Sequence, residues 1–180
     1  MTMTITEALA EIKTIGKRLE KKKLFVQGYL WRQEGLKDPL AKEHGDSISA
    51  IKAERQAIND LQKRIIQIRT AIQKANETTT LIIGDQTQTM AEWLIWKREV
   101  APGYQQFLRD ISNKLQQMRS EVQRKGLSVV TSGDLAKTPQ DFIVNIDEQA
   151  LAQEIEKLEE VLGNLDGQLS LKNATVMVEV

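Results

Sequence analysis

The chain has 180 residues and 41% hydrophobic content, enough for one domain, or one domain with a long helical projection, and for a packed core. Aromatic residues make up only 4%, which suits aliphatic helix seams, and the absence of cysteine excludes disulfides and thiolate chemistry. The 25 basic and 25 acidic residues cancel but are unevenly placed: residues 1–130 hold 22 basic and 15 acidic (net +7), residues 131–180 hold 3 and 10 (net −7), so the two parts either attract each other or form two differently solvated faces.

The first helix opens at Thr4, with Glu7 completing a capping box, and carries an apolar stripe through Ile5, Ala8, Leu9, Ile12, Ile15, Leu19, Val26 and Leu30. Around Gly35–Gly45 the pattern fails, and Asp38-Pro39 marks a break that lets the chain reverse into an antiparallel helical hairpin. A second helix starts near Asp46 or Ser47 and runs to about Ala75. Ile51, Ile58, Leu61, Ile65, Ile68 and Ile72 fall on it in the steps of seven, three and four that define a heptad seam. Isoleucine at these sites favours higher-order bundles, yet a hairpin within one chain satisfies the same pattern.

Thr78–Ile83 is β-branched and aliphatic, Gly84-Asp85 is a turn signal, and Gln86–Gln88 returns as a second strand, which predicts a small β-hairpin. Thr89 and Glu92 form a second capping box. The helix they open presents Met90, Leu94, Tyr104, Leu108, Ile111, Leu115, Met118 and Val122, with Pro102-Gly103 expected to kink or break it and Gly126 to cap it. Leu127–Thr131 and Phe142–Ile146 read as strands around a polar loop holding Ser132-Gly133-Asp134 and Pro139. Asp147 caps a further helix with Leu151, Ile155, Leu158, Leu162 and Leu165 at heptad spacing. Ala174–Val180 alternates as a closing strand, expected to share a sheet with the two preceding strands or to add to a neighbouring subunit.

Chemistry is sparsely signalled. His44 is the sole histidine and lies near Glu43 and Asp46, so it reads as a structural or solvated residue rather than a metal ligand. No Gly-rich phosphate loop is present, and the carboxylates Glu154, Glu156, Glu159 and Glu160 read as a solvated helix face. Basic residues along the second and third helices are interleaved with Glu54, Asp60, Glu99, Asp110 and Glu121, which argues against a phosphate-binding stripe. Trp93, Trp96, Tyr104 and Phe107 concentrate the aromatic content, either as packing beneath the hairpin or as an interface anchor.

The order of parts resembles the septicolysin-like coiled-coil family of bacteria and phages. The resemblance rests on Asn76 with Thr78-Thr79-Thr80, the turn at Gly84, and Thr89-Met90-Ala91-Glu92 followed by Lys97-Arg98. It continues with Asn145-Ile146-Asp147, Leu165-Asp166-Gly167-Gln168 and Asn173. It implies a helical, oligomeric protein and supplies no catalytic residues. The chain also looks like small structural proteins of tailed bacteriophages, which serve as capsid decoration, cement or tail components. The hairpin between long helices is similar, more loosely, to prefoldin-like chaperones.

The expectation is therefore a mainly α protein: a long antiparallel helical hairpin or coiled-coil bundle over residues 1–126 with a β-hairpin near 78–88. A small β-α-β unit over 127–180 packs on that bundle. Its expected role is non-enzymatic and homo-oligomeric, as a bacteriophage virion component that binds itself and other virion structural proteins; the alternative is a prefoldin-like chaperone or another protein-binding module. The expected interface is Ile51, Ile58, Leu61, Ile65, Ile68, Ile72, Trp93, Trp96, Tyr104 and Phe107. No cofactor, metal, small-molecule substrate, nucleic acid or membrane partner is expected. With neither a signal peptide nor an apolar run of membrane-spanning length, the expected location is the virion if the chain is phage-derived, and otherwise the cytoplasm.

Overall fold

A computed structural model describes residues 1–131 and 142–180. The loop expected around Ser132-Gly133-Asp134 and Pro139 lies outside the described residues, as do the side chains of Glu43, His44 and Thr131. The fold is mainly helical with small two-stranded sheets. Strand β1 (Thr2–Thr4) leads into helix α1 (Ile5–Gly28), a short helix α2 (Ala41–His44) and helix α3 (Ser47–Thr78). Strands β2 (Thr80–Ile83) and β3 (Gln86–Thr89) precede helix α4 (Met90–Ile95), a π turn (Trp96–Val100) and helix α5 (Ala101–Arg124). Strands β4 (Val129–Thr131) and β5 (Phe142–Val144), helix α6 (Glu148–Thr175) and strand β6 (Met177–Glu179) complete the chain.

The chain divides into two compact units, Met1–Thr79 with Ser170–Val180, and Thr80–Leu169. This partition differs from the one expected at 126/127, because pairing between the two ends of the chain gathers the last residues with the first. β1 and β6 are antiparallel, with Met3 opposite Val178 and both side chains buried. The carbonyl of Val176 also accepts from the Ile5 amide at 3.1 Å. β1 is too short for periodicity to reveal, although Thr2 and Thr4 are β-branched residues of the kind such a strand uses.

In the first unit α1 and α3 form the expected antiparallel hairpin. Lys22 donates to Glu54 at 2.7 Å and Arg64 to Glu11 at 2.9 Å, so rising numbers on one helix meet falling numbers on the other. Thr4 caps α1 with its hydroxyl, and Glu7 returns the bond to the Thr4 amide at 2.8 Å. Those bonds hold the Glu7 carboxyl below its ordinary range. α1 ends at Gly28, so Leu30 leaves the stripe and is exposed. Asp46 caps α3 through the Ser49 amide at 2.6 Å.

The break between these helices is organised by Asp38. Its carboxylate accepts from the amides of Leu40 and Ser47, both at 2.9 Å, and from the Ser47 hydroxyl at 2.5 Å. The Ser47 hydroxyl and amide and the Leu40 amide lower its pKa to about 2 from an ordinary 3.8, with Arg32 adding a small attraction. A depressed folded-state pKa stabilises the fold above pH 3.8, and that contribution is lost as pH falls towards about 2. Asp38→Asn is therefore expected to lower stability at neutral pH and to flatten the acid limb of an unfolding profile through that window. An unchanged acid limb would remove Asp38 from this role.

In the second unit the predicted β-hairpin is present, with Ile83 opposite Gln86. Its two-residue loop has Gly84 at φ +60° and no positive φ at Asp85, the arrangement in which glycine alone supplies the left-handed position. α3 runs to Thr78 rather than Ala75, so the strand starts at Thr80. Thr89 and Glu92 form the second capping box, which lowers the Glu92 pKa through the Thr89 amide and hydroxyl.

Of the kink or break expected at Pro102-Gly103, the break does not occur. The helix widens into the π turn just before it, where the Ala101 amide bonds to the Trp96 carbonyl five residues back. Proline lacks a donor and clashes with a tightly wound preceding turn; one wide turn relieves both conflicts without ending the helix. α5 closes on Gly126 at φ +68°, where the Leu127 amide reaches Val122 at 3.1 Å and the Gly126 amide reaches Gln123 at 3.0 Å, a Schellman cap. Asp147 caps α6, accepting from the Gln149 amide at 2.9 Å and the Ala150 amide at 3.0 Å. α6 continues through Gly163 and Gly167 to Thr175. Leu108, Leu151 and Leu158 form the α5–α6 core, flanked by Ile111, Leu115, Ile155 and Leu162. The three late strands do not share a sheet: β4 pairs with β5 in parallel, and β6 with β1.

The two halves of the chain repeat one another in order. β1–α1–α3–β2 matches β3–α4/α5–α6–β6, each strand entering its helix through a Thr-x-x-Glu box. The first helical residue after each box, Ile5 or Met90, is buried, as are Ala8 and Trp93 at the equivalent later positions. Ile68 and Leu165 stand at equal distance from the ends of α3 and α6, and both are fully buried. Each of the four matched strands pairs with one from the other half.

Candidate functional site

α3 supplies the longest uninterrupted helix surface, and the structure splits its predicted seam into two rows. Ile68 is completely buried in the first unit. Ile51, Ile58, Leu61, Ile65 and Ile72 are only half-buried. A helix advances about 100° per residue, so the Ile65-Ile66 doublet cannot point into one seam. Ile66 is 65% exposed and Ile48 is 81% exposed. Ile48, Ile51, Arg55, Ile58, Gln62, Ile65 or Ile66, and Arg69 follow one another in steps of three and four along this outer row. Ile48, Ile51, Arg55 and Leu30 line an open groove of about 450 Å³ at its N-terminal end. Trp31, 86% exposed, and Leu24, 65% exposed, belong to the same unit. Sequence reasoning missed Ile48 and Ile66, although their spacing to Ile51 and Ile58 is itself the signal.

The aromatic residues separate by environment. Trp93 is buried and its indole N–H donates to the Leu81 carbonyl at 3.4 Å, which joins the hairpin to α4. It packs edge-on against Trp96, with ring centroids 5.5 Å apart at 89°. Trp96 is half-buried, while Tyr104 and Phe107 are exposed and stacked at 6.4 Å. The four residues thus do not form one face: Trp93 belongs to the core, and the others grade outward. The Tyr104 hydroxyl donates to Glu154 on α6, a bond that raises the phenol pKa.

Lys97–Asp166 and Arg119–Glu148 ion pairs join the basic π-turn and α5 segment to the acidic α6. Part of the charge asymmetry is therefore satisfied inside the second unit. Both pairs are partly exposed, where such contacts are worth at most about 1 kcal/mol. Among the described residues no group of three or more Asp, Glu or His could hold a metal ion, and no helix is long and apolar enough to cross a membrane.

No family model matches the chain, and no curated protein matches it. Among solved structures it is similar to the crystal structure of a functionally unknown conserved protein from Corynebacterium diphtheriae. The TM-score is 0.57 at 15% sequence identity, over 99% of this chain and 100% of that one. At that identity the likeness concerns the fold alone.

Proposed function

We propose that the protein is a non-enzymatic assembly protein that associates with copies of itself through the outer row of α3, and that its setting is a bacteriophage virion. The observation that carries this reading is the outer row from Ile48 to Ile66, where Ile48 and Ile66 are exposed and Ile51, Ile58 and Ile65 only half-buried, interleaved with Arg55 and Gln62. A heptad helix that leaves isoleucines exposed beside its filled seam has a face suited to another helix. The virion setting is supported by the likeness in composition and layout to small phage structural proteins, an argument at the level of fold.

Sedimentation velocity and light scattering across a dilution series test the association. The intact chain is expected to be oligomeric, and Ile48→Asp with Ile66→Asp to weaken association by at least about tenfold, since burying one such side chain contributes about 1.5–3 kcal/mol. Both positions are exposed, so the folded chain should survive the change. A chain that stays monomeric at all concentrations would overturn the proposal. Capsid, portal or tail genes beside its own would support the setting. Suppression of aggregation of unrelated unfolded clients would instead move the protein to the chaperone class.

A further inference from the structure

We propose that the second unit binds an organic cation, an alkylammonium or guanidinium group, in the aromatic pocket between the β-hairpin turn, α4 and α6. The cavity measures about 330 Å³, the small end of the range for small-molecule sites, and fits a head group or a single side chain. Trp96 and Tyr104 supply its accessible aromatic surface; Trp93 also borders it but is 2% exposed. Aromatic faces carry negative quadrupole potential and attract cations, most strongly when the guest leaves water.

The rim agrees in sign. Asp85, at the hairpin turn, and Glu154, on α6, both line the cavity, and neither forms an ion pair among the described residues. The Tyr104 hydroxyl donates to Glu154 and so holds its carboxylate beside the aromatic walls. Lys157 is the single basic lining residue, which leaves two carboxylates against one ammonium. Its side chain is exposed, and its flexible stem can carry the charge outward when a guest enters. A neutral apolar guest would gain from the rings alone; a cation gains from rings and carboxylates together. This binding capacity goes beyond the assembly role and does not depend on it.

The test uses the full chain carrying Trp31→Phe, which removes the exposed tryptophan and leaves fluorescence to Trp93 and Trp96. Choline is titrated against 3,3-dimethylbutan-1-ol, its uncharged isostere, and against N-acetylarginine methylamide. Choline or the arginine compound is expected to change the emission saturably, with the isostere at least about tenfold weaker. Tighter binding of the arginine compound would point to a side chain of another protein, and tighter choline binding to a free ammonium compound; either supports the inference. Glu154→Gln should weaken binding several-fold and Lys157→Gln should tighten it. If Glu154→Gln alters the circular dichroism spectrum, Asp85→Asn takes its place. No saturable response, equal binding of the isostere, or indifference to both charge variants would overturn the inference.

Discussion

Replacing Trp93 with alanine is expected to destabilise the protein by about 3–5 kcal/mol, among the largest losses open to a single substitution here. The side chain is 2% exposed, so truncation removes most of an indole from a packed site and leaves a cavity behind. It also removes the bond to the Leu81 carbonyl, at 3.4 Å, and the edge-on contact with Trp96 at 5.5 Å. Those contacts connect β2, reached from α3, to α4, so the loss falls on the joint between the hairpin and its helix. Urea unfolding followed by far-ultraviolet circular dichroism measures it. Trp31→Ala is the matched control: that ring is 86% exposed, and its removal should change stability by no more than about 0.5 kcal/mol. Equal effects from the two substitutions would refute the placement of Trp93 in the core.

Ile68→Ala is expected to cost about 2–5 kcal/mol, because its side chain is fully buried. Ile58→Ala should cost less in unfolding experiments on dilute protein, since Ile58 is only half-buried. The order should reverse when association is measured. Ile58 lies in the outer row, and its truncation should weaken self-association more than it weakens the fold. Dilution-dependent sedimentation and denaturant unfolding of both variants separate these effects. If Ile58→Ala proved as costly as Ile68→Ala in the dilute monomer, the division of α3 into an inner and an outer row would fail.

Much of the local structure was legible because its causes are local. Thr4 with Glu7 and Thr89 with Glu92 announce helix starts, since a hydroxyl and a carboxylate three residues apart satisfy amides that the helix cannot. Gly84 and Gly126 occupy left-handed positions that other residues resist, and they mark a hairpin turn and a helix end. Asp38 and Asp46 bracket the reversal between α1 and α3 through short-range bonds. At Pro102 the expected kink or break takes the form of an irregular turn without a break, for an equally physical reason. A proline rule derived for α-helices does not anticipate that one π turn can absorb the missing donor.

The candidate sites were less legible. Heptad spacing locates the α3 seam, whereas Ile48 and Ile66 fall outside its single repeat. The aromatic cluster was visible as composition. That Trp93 faces the core while Trp96 and Tyr104 border a cavity with Asp85, Glu154 and Lys157 depends on residues from three separated segments.

By itself the sequence determined a mainly helical chain, its helix starts and stops, the β-hairpin at Gly84 and the antiparallel reversal near Asp38. Each follows from side chains acting on backbone within a few residues. Only the tertiary structure decided that β6 returns to β1 rather than to β4 and β5, and that the two halves of the chain repeat one order of elements. It likewise decided which isoleucines of α3 are covered by the chain itself. Strand pairing between residues at opposite ends of the chain and the filling of one helix face depend on which surfaces meet. Three-residue strands carry too little pattern to choose a partner, so that choice is made by the burial of Met3 opposite Val178.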